Sequence, residues 1–297
     1  MWNEQMVQAY KAFVPARHSI WEARQRGASA HLWTLDPILQ ERKFTNVYRV
    51  LDPGSQYLLR MMMEPGITKE DALARAYLYR MTNRPETWDH MRAQLGRWPL
   101  ATDLGPQLED LLVAYRDAGN QVFSGAYIIM PRPGVSGDDK ARSVVQLAAQ
   151  SFHPDSPVGR TFTRTRSMAD RYHLLHSQPG IGPFIAMQVL TDYGYYSGDQ
   201  DENSFVVPGP GARNGAKELN PALPAKDVLQ WAAEQVWRHN SPVLYERKPS
   251  LMDIQNTLCE FSKYARYMRK PRTGKPYRPA HPGAQPKPLL PTYWLDS

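Results

Sequence analysis

The chain has 297 residues, a formal net charge of +7 and a pI near 9.4. This length allows one large domain or two small ones with a sizeable core, and the basic balance suits a polyanionic partner such as nucleic acid. The single cysteine, Cys259, excludes an internal disulfide framework and fits a reducing compartment. No apolar run is long enough to cross a membrane and the N-terminus has no signal-peptide pattern, so we expect a cytoplasmic protein without a membrane partner.

Apolar periodicity and capping signals predict helices along most of the chain. The predicted helices span residues 2–13, 53–63, 68–81, 85–95, 105–118, 139–152, 163–176, 183–193, 224–239 and 251–268. Residues 121–130 are either an extended segment or a buried helix. The proline-rich residues 271–297 are predicted as an extended tail that either packs on the domain or follows nucleic acid. We therefore expect a mainly α fold with at most a minor β element, organised as one domain over residues 1–270 plus the tail.

A glycine-rich element lies between two of these helices, at Gln178, Gly180, Ile181 and Gly182. Two glycines one residue apart allow a tight turn that brings backbone N–H groups close to an anion. The N-terminus of the following helix adds the positive end of its dipole. The pattern indicates either a contact with the nucleic-acid backbone or an ordinary turn between packed helices. A second glycine-rich stretch, residues 208–215, is predicted as a turn.

The helix predicted at residues 251–268 carries a polar stripe. Asp253, Asn256, Glu260 and Lys263 fall at i, i+3, i+7 and i+10, which is one face of a helix. The stripe is either a solvated face or a catalytic one, in which two carboxylates beside an amide and an ammonium divide base and binding roles. Cys259 lies at the edge of the stripe, where a lone cysteine is most often a small buried hydrophobe.

Several short blocks between about residues 30 and 270 carry a resemblance. They are residues 44–49 (FTNVYR), 55–58 (SQYL), 123–127 (FSGAY), 180–184 (GIGPF), 205–212 (FVVPGPGA), 253–256 (DIQN) and 258–261 (LCEF). With these blocks the chain resembles the alpha-glutamyl/putrescinyl thymine pyrophosphorylase family of bacteriophages, also described as amino acid:DNA transferases. The resemblance implies a fold related to helix-hairpin-helix DNA glycosylases, with the helix-hairpin-helix at about residues 163–195. It also implies hypermodification of thymine in the DNA of a phage, inside the cytoplasm of the infected host.

In that family's pathway, a kinase first activates 5-hydroxymethyluracil in double-stranded DNA as a pyrophosphoryl ester. An amine, such as putrescine, glutamate, glycine or another amino acid, then displaces pyrophosphate at the 5-methylene carbon. The sequence departs from true glycosylases, because Phe184 stands where many carry a catalytic lysine and residues 207–209 stand where others carry an aspartate. We therefore expect a transferase, with a base-excision glycosylase and a non-catalytic DNA-binding module as the alternatives.

The resemblance also implies roles for single residues around a target base that is flipped out of the duplex. Asp253 or Glu260 is the candidate general base for the amine, and Asn46, Gln56 and Asn256 are candidates for reading the uracil edge. Candidates for holding pyrophosphate or an amino-acid carboxylate are Arg42, Arg49, Gly209, Gly211 and Arg213.

Two further expectations concern the chemistry. In a covalent variant of the mechanism, the Cys259 thiolate adds to C6 of the pyrimidine and helps to expel pyrophosphate. No metal site is predicted, because no cluster has the spacing of metal ligands, although Mg²⁺ is chemically suited to pyrophosphate.

Overall fold

The computed structural model describes residues 1–125, 139–239, 241–270 and 286–295. Thirteen α-helices account for most of these residues, and turns, loops and short 3-10 helices connect them. In chain order the helices are α1 (Glu4–Gln25), α2 (Pro37–Glu41), α3 (Pro53–Met62), α4 (Lys69–Thr82), α5 (Pro85–Leu95), α6 (Pro106–Asp117), α7 (Lys140–Phe152), α8 (Pro157–Arg164), α9 (Met168–His176), α10 (Pro183–Ser197), α11 (Pro210–Leu219), α12 (Ala225–Arg238) and α13 (Leu251–Arg269).

The fold class predicted from the sequence is confirmed, since the chain is mainly α. Within the described ranges the only β pairing is one isolated antiparallel bridge between Leu244 and Arg247. None of the helices in these ranges combines the length and the apolar composition that a bilayer crossing requires.

The chain divides into two compact units. The first unit comprises Met1–Asp52 and Glu202–Pro288, and the second comprises Pro53–Asp201 and Leu289–Ser297. The first unit therefore contains α1, α2 and α11–α13, and the second contains α3–α10. The predicted division into a domain over residues 1–270 and a tail stays a prediction.

Most predicted helices agree with the observed ones to within a few residues, and two differ. Helix α1 continues past Pro15 to Gln25, although an internal proline removes one backbone donor. Burial of Phe13, Val14 and Arg17 favours the longer helix, and α1 packs on α11, α12 and α13.

The helix predicted at residues 163–176 is two helices, because Ser167 starts α9 anew by accepting a hydrogen bond from the Asp170 N–H at 3.2 Å. Residues 121–125 are neither helix nor strand. The remainder of the segment predicted at residues 121–130 lies outside the described residues, as does the proline-rich stretch at residues 271–285.

Helix α4 is the centre of the second unit. All of its residues from Asp71 to Thr82 are buried, and it packs against α3, α7, α8 and α10. Buried charges on this helix are paired: the Arg80 guanidinium donates to both carboxylate oxygens of Asp192 on α10. Neither side chain of this pair is more than 5 % exposed, so removing one partner would leave an uncompensated buried charge.

The turn between α9 and α10 contains the first glycine-rich element. Gly180 has φ of +80°, a conformation that favours glycine, and Ile181 is buried beneath the turn. The Gln178 amide donates to the Leu174 carbonyl at 2.9 Å, so it closes the end of α9. Gly182 is exposed and occupies the N-cap position of α10 without any side-chain cap.

Residues 289–295 belong to the second unit and pack within it. Leu290 and Trp294 are each 4 % exposed. The Gln56 amide donates to the Leu289 carbonyl at 2.9 Å and accepts from the Leu289 N–H at 2.8 Å. Gln56, predicted to read the uracil edge, therefore holds this segment through both ends of its amide.

Helix α13 is the centre of the first unit, and α11 packs closely along it. A Cβ atom added at Gly215 would lie 2.0 Å from the Leu258 carbonyl oxygen, and one added at Gly211 would lie 2.2 Å from the Cys259 sulfur. The two glycines are four residues apart, so they share the face of α11 that contacts α13. The turn predicted at residues 208–215 is therefore wrong from Pro210 onward, because these glycines serve close helix packing instead.

We predict that Gly215→Ala destabilises the chain, although alanine is otherwise the better helix former by about 1 kcal/mol. The new methyl group would collide with the α13 backbone, and overpacking of this kind costs about 1–3 kcal/mol or more. The exposed neighbour Asn214 gives a matched control, since Asn214→Ala should change stability by less than about 0.5 kcal/mol. Denaturant unfolding of both variants measures the difference, and equal stabilities would contradict the packing account.

Candidate functional site

The candidate site lies in the first unit, where the loop that follows α2 crosses the N-terminal half of α13. Ser250 caps α13, and Asp253 completes a capping box by accepting from the Ser250 N–H and hydroxyl, each at 2.9 Å. The other Asp253 oxygen accepts the Arg49 N–H at 2.7 Å. Asp253 is only 4 % exposed, so one buried carboxylate both starts the helix and holds the loop.

The rest of the predicted stripe continues along the same loop. The Asn256 amide donates to the Asn46 carbonyl at 2.9 Å, and Glu260 accepts the Thr45 N–H at 3.0 Å. One turn further, the Lys263 ammonium donates to the Lys43 carbonyl and lies 3.7 Å from the Glu260 carboxylate. The four stripe residues thus contact the loop backbone in order, and the catalytic role expected for the stripe stays a prediction.

Arg17 of α1 fixes the opposite side of the loop. Its guanidinium donates to the Phe44 carbonyl at 3.0 Å and to the Asn46 side-chain oxygen at 2.9 Å. The Asn46 amide in turn donates to the Leu51 carbonyl at 2.8 Å. Its backbone N–H donates to Asp52 at 2.9 Å. Asn46, predicted to read the uracil edge, therefore has both ends of its side chain engaged, by Arg17 and by the Leu51 carbonyl.

The two arginines predicted to bind pyrophosphate or a carboxylate are buried. Arg42 is 7 % exposed and places its guanidinium over the Tyr267 ring, 4.9 Å from the ring centre. Arg49 is 4 % exposed and follows the loop into a short 3-10 helix. Both arginines are thus largely withdrawn from solvent in this conformation.

Cys259 lies between the stripe and α11. Burial, reinforced by the Glu260 carboxylate, raises the pKa of its thiol to about 11. The thiol is therefore protonated near neutral pH, whereas a nucleophilic cysteine needs the thiolate.

The start of α11 lies beside Gln255 of α13. The Gly209 N–H donates to the Gln255 side-chain oxygen at 3.1 Å, and this amide oxygen helps to satisfy the helix end. Arg213 is exposed one turn further on, and its guanidinium donates to the Pro208 carbonyl at 2.8 Å. The exposed cation at this helix end is therefore Arg213.

Sequence reasoning missed a cavity of about 430 Å³ in the first unit. Glu202, Asn203, Trp237, Arg247, Lys248, Pro249 and Ser250 line it. The Trp237 N–H donates to the Pro249 carbonyl at 2.8 Å, and the Lys248 ammonium donates to the Trp237 carbonyl at 3.0 Å. The sequence feature that could have indicated this cavity is the adjacent pair of cations, Arg247 and Lys248, between Pro242 and Pro249.

A strained turn adjoins this cavity. Leu244 and Arg247 exchange two backbone hydrogen bonds, of 3.0 and 3.1 Å, around Tyr245 and Glu246. Both central residues have positive φ, +47° and +67°, as in a type I′ turn that asparagine and glycine normally occupy. Each such residue costs about 1–3 kcal/mol, so the surrounding structure must hold the turn. The Tyr48 hydroxyl does so by donating to the Pro242 and Arg247 carbonyls.

The sequence-predicted site residues fall into both units. Residues 42–49, 209–213 and 253–260 belong to the first unit, whereas Gln56 and the glycine-rich element at residues 178–182 belong to the second. Among the described residues, no group of three or more histidine, cysteine, aspartate or glutamate side chains is arranged to hold a metal ion.

Comparison with known proteins gives two matches. Residues 4–273 match the family model described as "5-hmdU DNA kinase, helical domain". A 5-hmdU DNA kinase of Bacillus phage SP10 is 25 % identical over 283 residues, which cover 84 % of this chain and 43 % of the relative. The chain thus spans less than half the length of this curated relative. No solved structure matches the chain.

Asp253 makes the stability of the fold depend on pH. Burial raises the pKa of its carboxyl from 3.8 to about 6, even though three donors favour the charged form. The folded chain therefore binds this proton more tightly than the unfolded chain. The stabilisation is fully present below about pH 4 and is lost as the pH rises to about 6.

We predict that Asp253→Asn removes this dependence. As the pH rises from 4 to 6, the free energy of unfolding of the wild type should fall relative to that of the variant. The shift is at most about 3 kcal/mol, since one unit of pKa corresponds to about 1.4 kcal/mol. Denaturant unfolding of both proteins across this range measures it. Every other group titrates in both proteins, so a difference that stays constant with pH would contradict the account.

Proposed function

The chain belongs to the family of 5-hmdU DNA kinase helical domains, and we propose that it acts in the hypermodification of thymine in phage DNA, on a base derived from 5-hydroxymethyluracil. The observation that carries this proposal is the extent of the match, because residues 4–273 include most of both units and every candidate site residue. The similarity to the 5-hmdU DNA kinase of Bacillus phage SP10 supports it. The net charge of +7 is compatible with DNA as the substrate.

The step that we assign to this chain is amine transfer. P-loop kinases hold nucleotide phosphates with the motif G-x-x-x-x-G-K-[ST], which occurs nowhere in the 297 residues. We therefore assign phosphoryl transfer to no residue of this chain. In the proposed reaction a neutral amine attacks the 5-methylene carbon of 5-(pyrophosphoryloxymethyl)uracil in DNA. The C–N bond forms, the C–O bond to pyrophosphate breaks, and the amine proton passes to a base.

Glu260 is our candidate for that base. Glu260 is partly exposed whereas Asp253 is buried, and one of the Glu260 oxygens is oriented by the Thr45 N–H. The hydrogen bond from Thr45 fixes the carboxylate, and fixed geometry is the first requirement of a general base. We propose that Asp253 and Asn256 position the loop, because their polar groups bind its backbone. The Cys259 thiol takes no part in the proposed reaction.

The leaving pyrophosphate needs cations and N–H donors. Arg213 at the start of α11 is exposed, so it is our first candidate, with the helix end around Gly209 and Gly211 beside it. Arg42 and Arg49 are buried, and we propose that they reach a ligand only through a movement of the loop above them.

The turn between α9 and α10 is our proposed contact with the DNA backbone, as a helix-hairpin-helix. The exposed, uncapped N-terminus of α10 and the left-handed Gly180 support it. A Cβ atom at Gly182 would meet nothing within 4 Å, and φ there is −75°, so the position accepts a side chain. Charge can therefore be added at this point without disturbing the fold.

We predict that Gly182→Asp weakens binding to duplex DNA by tenfold or more at low salt, whereas Gly182→Asn has a much smaller effect. Both side chains are good N-caps and have nearly the same shape, so they differ mainly in charge. The aspartate carboxylate would repel a phosphate at the helix end. Fluorescence anisotropy with labelled duplex DNA measures the affinities. Equal affinities of the two variants would exclude the hairpin as a phosphate contact.

The description of the family favours a second candidate function. The helical domain would then recognise 5-hmdU in DNA for a kinase and carry out no chemistry itself. The two candidates differ in what the isolated chain does with activated DNA, since only a transferase releases pyrophosphate when an amine is present.

The test of the proposal is pyrophosphate release from DNA that carries 5-(pyrophosphoryloxymethyl)uracil, with and without a panel of amines. Release that depends on both the chain and an amine is the expected result. Tight binding without release would favour the recognition domain. DNA that carries unactivated 5-hydroxymethyluracil is the control, and it should give no signal.

We predict that Glu260→Gln lowers this turnover at least a hundredfold while DNA binding persists, because a general base contributes about 10²–10⁴-fold. The glutamine carbonyl still accepts the Thr45 N–H, so the loop should stay in place. Glu234→Gln on α12 removes a more exposed carboxylate from the same unit and should leave turnover unchanged. Normal turnover of Glu260→Gln would remove the assignment.

A further inference from the structure

The turn at Leu244–Arg247 and the cavity beside it form a feature that the proposed reaction does not use. The turn places Tyr245 at its tip, and this side chain is 44 % exposed. Arg247 ends the turn and, together with Lys248, lines the cavity. An aromatic ring and two cations therefore lie within four consecutive residues.

The strained backbone of the turn is a feature that is common where side chains bind a ligand. Two consecutive residues with positive φ favour asparagine and glycine, yet tyrosine and glutamate occupy these positions. Strained residues of this kind persist where the surroundings over-determine them, and they cluster at ligand-binding sites. Here the Tyr48 hydroxyl contacts the Arg247 carbonyl at the end of the turn and the Pro242 carbonyl two residues before the turn, and Tyr48 is itself fully buried.

The cavity is also fixed in shape. The Trp237 ring is held by the hydrogen bond from its N–H to the Pro249 carbonyl. Asn203 accepts the Leu251 N–H at 3.1 Å, and Glu202 accepts from Arg247 at 3.1 Å. The Glu202 charge is compensated by Arg247, so Lys248 gives the cavity lining one net positive charge, while the exposed Glu246 carboxylate lies outside the lining, at the turn.

We infer that this cavity and turn bind an unpaired nucleotide of the DNA substrate, with the base against the Tyr245 ring and its phosphate at Lys248 and Arg247. Stacking on an aromatic ring and a cationic groove for the backbone are the two features by which proteins hold single-stranded nucleic acid. The inference rests on the proposed function in one respect, which is that DNA is the substrate. It concerns a surface separate from the Glu260 site and the α9–α10 turn.

The backbone strain allows a variant that tests the ring without weakening the fold. Tyr245→Asn removes the ring and places a favoured residue at a positive φ, so the melting temperature should rise. Glu246→Gly relieves strain at the neighbouring position and keeps the ring. Tyr245→Phe keeps both the ring and the strain.

The experiment measures the affinity of each variant for duplex DNA with a short single-stranded gap and for the fully paired duplex. Tyr245→Asn should lose about tenfold in affinity for the gapped DNA, the size of one base–aromatic stacking contact, with little loss on the paired duplex. Tyr245→Phe should bind like the wild type, and Glu246→Gly, which keeps the ring and removes a carboxylate beside the cations, should bind at least as tightly as the wild type. Lys248→Gln should weaken binding and reduce the salt dependence by about one phosphate contact.

If Tyr245→Asn binds gapped DNA as well as the wild type does, the inference is overturned and the proposed function is unaffected. A loss of the same size on paired and gapped DNA would also overturn it, because the ring would then contact the duplex. If the wild-type chain binds neither DNA, the premise that DNA is the substrate fails together with the inference.

Discussion

The loop at residues 43–49 has no strand or α-helix of its own to satisfy its backbone, and α13 supplies the partners. Backbone N–H and C=O groups at a buried surface must be paired. Asp253, Asn256, Glu260 and Lys263 pair them in sequence along one face of α13. The apolar face of the same helix packs on α1, α11 and α12. The candidate site therefore depends on one helix that is buried on one face and hydrogen-bonded on the other.

The arrangement keeps the carboxylate of the proposed base in place. Glu260 is oriented by the Thr45 N–H and lies beside the Lys263 ammonium, while the buried Asp253 fixes the loop at Arg49. Close contact of Gly211 and Gly215 with α13 leaves no space for α11 to shift toward the helix. Glu260 and its neighbours on α13 are thus held by hydrogen bonds to the loop and by the close packing of α11.

Sequence reasoning reached the helices and the stripe because both are local patterns. The positions of Asp253, Asn256 and Glu260 on one face follow from helical periodicity alone. Their partners did not follow from it, since the loop lies more than 200 residues away along the chain. The error at residues 208–215 has a physical cause as well, because glycine serves turns and close helix contacts equally. The spacing of Gly211 and Gly215 by four was the signal that favoured a helix.

The turn at Tyr245 and Glu246 had no sequence signal, because neither residue is typical of positive φ. The bonds between Leu244 and Arg247 close the turn locally, and the buried Tyr48 hydroxyl, almost 200 residues away along the chain, helps to hold it. The buried pair of Arg80 and Asp192 is a similar case, since each residue alone resembles a surface charge. Positions that depend on distant partners are the ones that local patterns could not predict.

The most direct test of the central claim is mass spectrometry of the nucleosides after the chain has reacted with DNA that carries 5-(pyrophosphoryloxymethyl)uracil and a panel of amines. The account predicts one new nucleoside, a thymidine that carries a single amine on its 5-methyl carbon, and its mass identifies the amine. Unchanged nucleosides across the whole panel, with DNA binding retained, would contradict the transferase and leave a domain that only recognises the modified base.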